Sequence, residues 1–503
     1  MKICRLFNRS YRSIVRDDGL LRNLDLIALS AAIGTILFSN TGGAAFTGYA
    51  SALGAGEFMF GLISALPILG SLVQLYVSFI MEKTGNRKLL FMIGGLFSRF
   101  MWLLIAFIPL FIPERFGEYR IWVLLVMITM AAMGASFVGV THTTMVAEVV
   151  PLDIRGRYMT TRQRVMTLVS MLTGFGSSFI LDQFAGLSGY TVVFCVASLA
   201  GLCDILMYTR FRFPETKRTA DGFSLAKGFR QCFHERKTRD YIIFFCAWSF
   251  AVNISAPFFT KYSIDILKLS FKQIIIFGQI GANIMSLLVV KRWGRFIDRY
   301  GCVPLMLVTG TITGLLVLVW MPATIGNVIP LMVFNLIGGL FWCANEASAV
   351  NMQLSHTPDI GRPLALAIYA VVTSLSSAAA FIIGGAILEG LAPAMAAARL
   401  TVFGTPFDHY KLLFAVATVL RLSAILILLP RVWNEKGLKT KDVYVDIWRR
   451  AQGGVKMLRV AFIAAGYRRK LQKQQGMKMQ LPLPMRHFIR RIELKWMNRK
   501  ARK

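Results

Sequence analysis

The 503-residue chain is expected to be an all-α integral membrane protein of twelve transmembrane helices in two pseudo-symmetric six-helix bundles. Three observations predict this. Apolar runs long enough to cross a bilayer recur along the chain, basic residues collect in alternate connections, and segments of the first half reappear in order in the second.

The chain is 55% hydrophobic with mean hydropathy +0.57, yet its formal charge is +32. Both follow if the apolar residues lie in spans of about 20 residues and the bases in the loops between them. Lipid offers no partner to a backbone amide, so only helices or a closed barrel can span it. The runs are continuous rather than alternating, which selects helices. The first run, from Leu26, is too long and too rich in Gly and Thr for a signal-peptide core and is expected to be a retained span.

The spans fall near 26–51, 58–81, 89–112, 121–146, 163–184, 190–211, 240–262, 272–293, 303–322, 326–350, 363–389 and 409–430. An even number puts both termini on one side. Bases mark that side: Lys2, Arg5, Arg9, Arg12, Arg16 and Arg22 precede the first span, and alternate loops carry Lys83, Arg87, Lys88, Arg155, Arg157, Arg162, Arg164, Lys291, Arg292, Arg295 and Arg299. The positive-inside rule then predicts a multi-pass protein of the plasma (inner) membrane with both termini in the cytosol. The predicted organisation is a basic amino-terminal segment (1–25), a first six-helix half (26–211), a basic linker (212–239), a second half (240–430) and a basic tail (431–503).

Four segments repeat between the halves. Glu82-Lys-Thr-Gly85 answers Asp298-Arg-Tyr-Gly301; Pro151, Arg155 and Asp182 answer Pro358, Arg362 and Glu389 at one shared offset of 207; Phe46-Thr-Gly-Tyr49 answers Phe259-Thr-Lys-Tyr262; and Tyr190, Phe194, Val196 and Ala197 answer Tyr410, Phe414, Val416 and Ala417 at an offset of 220. Their common order argues for a duplicated unit. Parallel repeats of this kind place a substrate site near the bilayer midplane, between the halves.

The loop Gly294-x-x-x-Asp298-Arg299-Tyr300-Gly301 resembles the signature of the major facilitator superfamily, Gly-x-x-x-Asp-Arg-x-Gly-Arg-Arg/Lys, and Ser78-x-x-x-Glu82-Lys83-Thr84-Gly85-Asn86-Arg87 is its degraded copy. A small first residue permits close helix approach, and Gly permits the tight turn. The resemblance implies a transporter in which Glu82 and Asp298 act as gating acids facing a helix amino terminus, with Lys83, Gly85, Arg87, Gly294, Arg299 and Gly301 in the same latches. Arg155 and Arg362, each following a helix-ending proline, are expected to reach those acids or lipid phosphates.

Polar groups inside the spans are the better guide to substrate, because burying them in lipid is costly. The candidates are Asn40, Asn253, Asn345, Glu346, Arg99, Asp204 and Arg421; Gln74, Asn283 and Asn335 add further hydrogen-bonding groups. In the resembled family the first, fourth, seventh and tenth spans line the cavity, which favours Asn40, Asn253, Asn345 and Glu346. Arg99, Asp204 and Arg421 lie on spans resembling the outer helices, where a structural ion pair or snorkelling competes with function. Glu346 is a candidate proton-coupling carboxylate, since an apolar site raises a carboxyl pKa; a structural acid is the competing reading. Trp248 and Trp342 could stack on a ring or merely pack.

Other classes fare poorly. The fifth span lacks the proline, and the fourth the arginine, of the superfamily's drug/proton antiporters. The five histidines show no metal-ligand spacing, no Gly-x-Ser-x-Gly elbow or P-loop is present, and seven cysteines are scattered without CxxC spacing. No enzyme activity, metal or cofactor is therefore expected, and the driving force would be an H+, Na+ or solute gradient, in a symporter or uniporter. The tail interleaves Val443, Ile447, Trp448, Met457, Leu458 and Phe462 with bases, as in an amphipathic helix on anionic lipid rather than a nucleic-acid arm. The expected partners are a small-molecule solute and membrane lipid, with the chain a monomer. A non-transporting receptor or assembly protein on the same scaffold is the alternative.

Overall fold

The computed structural model describes residues 18–84, 86–184, 186–211, 234–356, 362–398, 400–402 and 404–434. The basic linker through residue 233, the tail from residue 435, residues 1–17 and Gly85 lie outside them, as do the side chains of Glu82, Lys83, Arg155 and Arg362.

The first half comprises α1 (Asp18–Thr41, resuming as Ala44–Ala52), α2 (Glu57–Ser71, resuming as Gln74–Thr84), α3 (Arg87–Ala106), α4 (Gly117–Val149), α5 (Leu152–Gln183) and α6 (Leu187–Met207). The second comprises α7 (Arg236–Asn253, resuming as Ala256–Asp265), α8 (Phe271–Tyr300), α9 (Cys302–Trp320), α10 (Ile329–Ser355), α11 (Arg362–Ala398) and α12 (His409–Arg431). Eleven of these are long and apolar enough to cross a membrane, and the remaining one, α2, is divided by a turn at Leu72–Val73. A two-residue ribbon, Thr401–Val402 against Thr405–Pro406, joins α11 to α12.

The repeat found in sequence is visible in the breaks. Helix α1 is interrupted at Gly42–Gly43 and α7 at Ile254–Ser255, corresponding points of the two halves. Pro151 flanks the first turn of α5, as its missing amide predicts. At Gly301 the backbone takes φ +87° between α8 and α9, a conformation that disfavours any side chain and makes the tight turn expected there.

Within the first half α3 packs on α4 and α6, and α1 on α5 and α6; within the second, α10 packs on α8 and α9, and α7 on α11 and α12. The chain segments near Asp18, Thr84, Val150, Tyr300 and Asn434 share one end of the bundle, here called the basic face; the α1–α2, α5–α6, α7–α8 and α11–α12 connections share the opposite face. The halves meet most extensively where Glu57–Ser71 of α2 crosses α11. A Cβ at Gly61 would lie 2.5 Å from the Phe381 carbonyl oxygen and one at Gly385 2.7 Å from that of Glu57, so these backbones touch. The other part of α2, Gln74–Thr84, packs on α4 of its own half.

Candidate transport site

Between the halves lies a cavity of about 760 Å³, lined from the first half by α1 and α5 (Thr35, Ser39, Gln163, Ser170) and from the second by α7, α8 and α10 (Phe259, Gln279, Asn283, Asn335). Its α8 wall is a π-helical turn, Ile274–Ile280, which presents Ile274, Ile275, Gly278 and Gln279 to the space. A wider turn of this kind re-aims side chains at functional sites. One polar chain crosses it: Ser39 Oγ donates to Ser170 Oγ at 2.8 Å, and Gln279 Nε2 donates to Ser170 Oγ at 2.7 Å. A second lobe of about 350 Å³ continues into the second half, bounded by Phe259, Leu316, Phe334, Trp342, Glu346 and Arg421.

The opposite face is sealed by charge. The Asp182 carboxylate, at the end of α5, accepts from the Phe271 and Lys272 amides at the start of α8, at 3.0 and 3.1 Å. The Glu389 carboxylate, toward the end of α11, accepts from the Phe58 amide at the start of α2 at 3.0 Å. Each acid thus meets the unsatisfied amides and positive dipole end of a helix in the other half. These two residues are repeat mates, so the seal obeys the two-fold relation. Around it, Lys261 Nζ, almost fully buried, donates to Asp265 at 2.7 Å, to the Ala55 carbonyl at 3.1 Å and to Ser51 at 3.3 Å. Tyr410 donates to Glu57 at 3.2 Å. Gln163, on the basic-face part of α5, both lines the cavity and is exposed, so the cavity opens toward the basic face.

The residues expected from sequence distribute unevenly over this geometry. Glu346 lines the second lobe and accepts from Trp342 Nε1 at 3.0 Å. Arg421, expected on an outer helix, instead reaches the same lobe. Asn345 does not line the cavity: it is buried between α9 and α10, where Thr309 donates to its carbonyl at 2.5 Å and its amide donates to Thr313 at 3.0 Å. Asn253 bonds Ser377 of α11 at 2.9 Å, joining helices of one half. Asn40 donates to the Ile36 carbonyl of its own helix and borders only a small recess beside Phe271. These asparagines have found protein partners, the commonest fate of an intramembrane amide.

Arg99 and Asp204 form an ion pair at 3.7 Å between α3 and α6, with Ser30 donating to the carboxylate. Of the gating candidates, Arg87 grips Glu148 of α4 through two 2.7 Å bonds within its own half. Asp298 is exposed, and Arg299 lies over the neighbouring Tyr300 ring. Among the described residues nothing comes within 4 Å of a Cβ built on Gly294, so none of them makes the close helix approach expected there.

Asp182, Glu389, Lys261, Gln163 and Gln279 were not among the candidates. The shared 207-residue offset of Asp182 and Glu389 was their one sequence signal; Lys261 stood in a repeat opposite Gly48. The glutamines carried none, since an uncharged polar residue on a helix does not report which face it occupies.

Two helical bundles, related by an internal two-fold and meeting around a polar cavity closed at one face, define a membrane transporter. The sequence confirms the kind: residues 27–292 match the model of the Major Facilitator Superfamily, and the chain belongs to that family. Its fold is similar to that of a D-xylose-proton symporter (TM-score 0.63, 14% identity, 83% of this chain and 100% of that one). It is also similar to a bacterial homologue of the human lysosomal transporter Spinster in an inward-facing form (TM-score 0.59, 11% identity, 83% and 95%). The nucleoside transporter NupG is comparable (TM-score 0.59, 12% identity, 81% and 98%). No curated protein matches the chain by sequence.

Proposed function

We propose that the chain is a secondary transporter that carries a small solute by alternating access, driven by an ion gradient or by the solute's own. The observation that carries this is the cavity between the halves, closed at the opposite face by the paired Asp182 and Glu389 contacts and reachable from the basic face. Rocking the halves about this cavity would exchange that seal for one on the basic face. Asp298, exposed in the present form, would then meet a helix amino terminus of the first half, as the family resemblance implies. Under the positive-inside rule the basic face lies in the cytosol, making the present form inward-open. Glu346, on the cavity wall, is the acid placed to carry a coupled proton. The basic tail would hold anionic lipid.

Proteoliposome uptake across a panel of sugars, nucleosides, amino acids and organic acids tests this. At least one solute should accumulate, and Asp298→Ala should cut its flux roughly 5- to 150-fold, as expected when a coupling contact of about 1–3 kcal/mol is lost. The melting midpoint of Asp298→Ala should stay unchanged, because Asp298 is exposed in the form described. Absence of flux for every class would overturn the reading.

A further inference from the structure

The geometry points to an oxyanion subsite at Arg421, and we propose that the solute is an organic monocarboxylate with an apolar or aromatic body. This rests on the transport reading and names the substrate class of that same cavity.

The most deeply buried guanidinium of each half, among the described residues, lies within its helices: Arg99 at 1% exposure and Arg421 at 3%. The repeat shows how the two are related. The offset of 220 that matches Tyr190, Phe194 and Ala197 to Tyr410, Phe414 and Ala417 places Gly201 of α6 at Arg421 of α12. Gly201 is the residue that makes room for Arg99: a Cβ there would lie 2.9 Å from the Arg99 Cγ. Gly314 of α9 stands beside Arg421 in turn, its Cβ position 3.5 Å from the arginine Cβ. The two halves therefore bring a guanidinium to corresponding helix contacts from opposite helices. Each also sits near a phenylalanine ring of the first helix of its half, Arg99 at 5.7 Å from the Phe38 centroid and Arg421 at 5.9 Å from that of Phe259.

The counter-charge breaks the symmetry. In the first half Asp204 neutralises Arg99. The same offset puts Ala424, buried at 3% exposure, where Asp204 stands. Among the described residues Arg421 donates to neutral oxygens: the Ala251 carbonyl at 3.3 Å, the Val252 carbonyl at 3.1 Å and Ser255 Oγ at 3.1 Å. Among the described residues no carboxylate lies within ion-pair distance of it. A full charge out of water needs an opposite charge close by, and this one opens onto the 350 Å³ lobe.

A planar guanidinium recognises a carboxylate by paired, charge-assisted hydrogen bonds. Phe259, Leu316, Phe334 and Trp342 give the lobe an apolar wall for the rest of the molecule. Glu346 on the same wall opposes a second negative charge, which favours a monoanion over a dianion.

The test uses the purified full chain in detergent and two matched pairs of probes, benzoate against benzamide and hexanoate against hexanamide. At saturating concentration the carboxylates should raise the melting midpoint by about 3 °C or more and the amides should not. Arg421→Gln should abolish the difference. So should Ala424→Asp, which supplies the missing counter-ion in the position the first half uses. Equal stabilisation by acid and amide, no response of the wild type to either acid, or an undiminished carboxylate response in a folded Ala424→Asp protein would each overturn the proposal. The wild-type comparison decides even if both variants misfold. Stabilisation by carboxylates without flux in proteoliposomes would leave the anion subsite standing and remove the transport reading. Flux of a neutral or cationic solute unaffected by Arg421→Gln would do the reverse.

Discussion

Asp204→Ala is expected to destabilise the protein by about 3–5 kcal/mol, the cost of leaving a buried charge without its partner. Arg99 is 1% exposed, its nearest carboxylate is Asp204, and two of its nitrogens, Nε and Nη2, already lack hydrogen-bond partners. With the carboxylate gone, the guanidinium keeps its desolvation cost and loses its compensation. The double replacement Arg99→Met with Asp204→Leu should recover most of the loss, because removing both charges removes the penalty. Thermal unfolding of the purified variants reads both effects. A single variant as stable as the wild type would show that Arg99 finds its counter-charge elsewhere.

The second large effect concerns the seal. Replacing Asp182 and Glu389 together by alanine removes three amide contacts that join α5 to α8 and α11 to α2. Both carboxylates are exposed, so solvent screens them, and a carboxylate at an exposed helix start contributes about 0.3–1 kcal/mol, more in favourable geometry. Together the pair should bias the equilibrium by about 1–3 kcal/mol, roughly 5- to 150-fold toward the form open at the opposite face. Spin labels at Phe111 and Ile325, exposed residues at that face on either half, should report a longer distance in the double variant. An unchanged distance distribution would mean that the backbone contact of Gly61 with α11 holds the face shut by itself.

Much of this was legible in the sequence, and the limits are physical. The spans, the duplicated halves and the Gly301 turn follow from hydropathy, from repeated residues and from a backbone position that suits glycine. Polarity inside a span was a weaker guide. It signals only that a partner must exist, and for Asn345 and Asn253 the partners are Thr309, Thr313 and Ser377 of neighbouring helices rather than a solute. Arg99 and Arg421 looked alike in sequence. What separates them is whether a carboxylate lies one helical turn further along the packed helix, as Asp204 follows Gly201, or an alanine, as Ala424 follows Arg421. The seal was half visible: Asp182 and Glu389 shared the offset of Pro151 and Pro358, but the helix starts they cap lie 89 and 331 residues away, beyond the reach of local pattern.

Exposure of one cavity to each face in turn can be read from a single cysteine at Thr260, on the cavity wall, in an otherwise cysteine-free chain. Membrane-impermeant thiol reagents are applied to sealed vesicles of either orientation. Modification is expected from both faces, fast from the basic face, slow from the opposite face, and faster there once Asp182 and Glu389 are replaced. Modification from the basic face alone, in the parent chain and in the Asp182→Ala, Glu389→Ala variant alike, would rule out alternating exposure of the cavity.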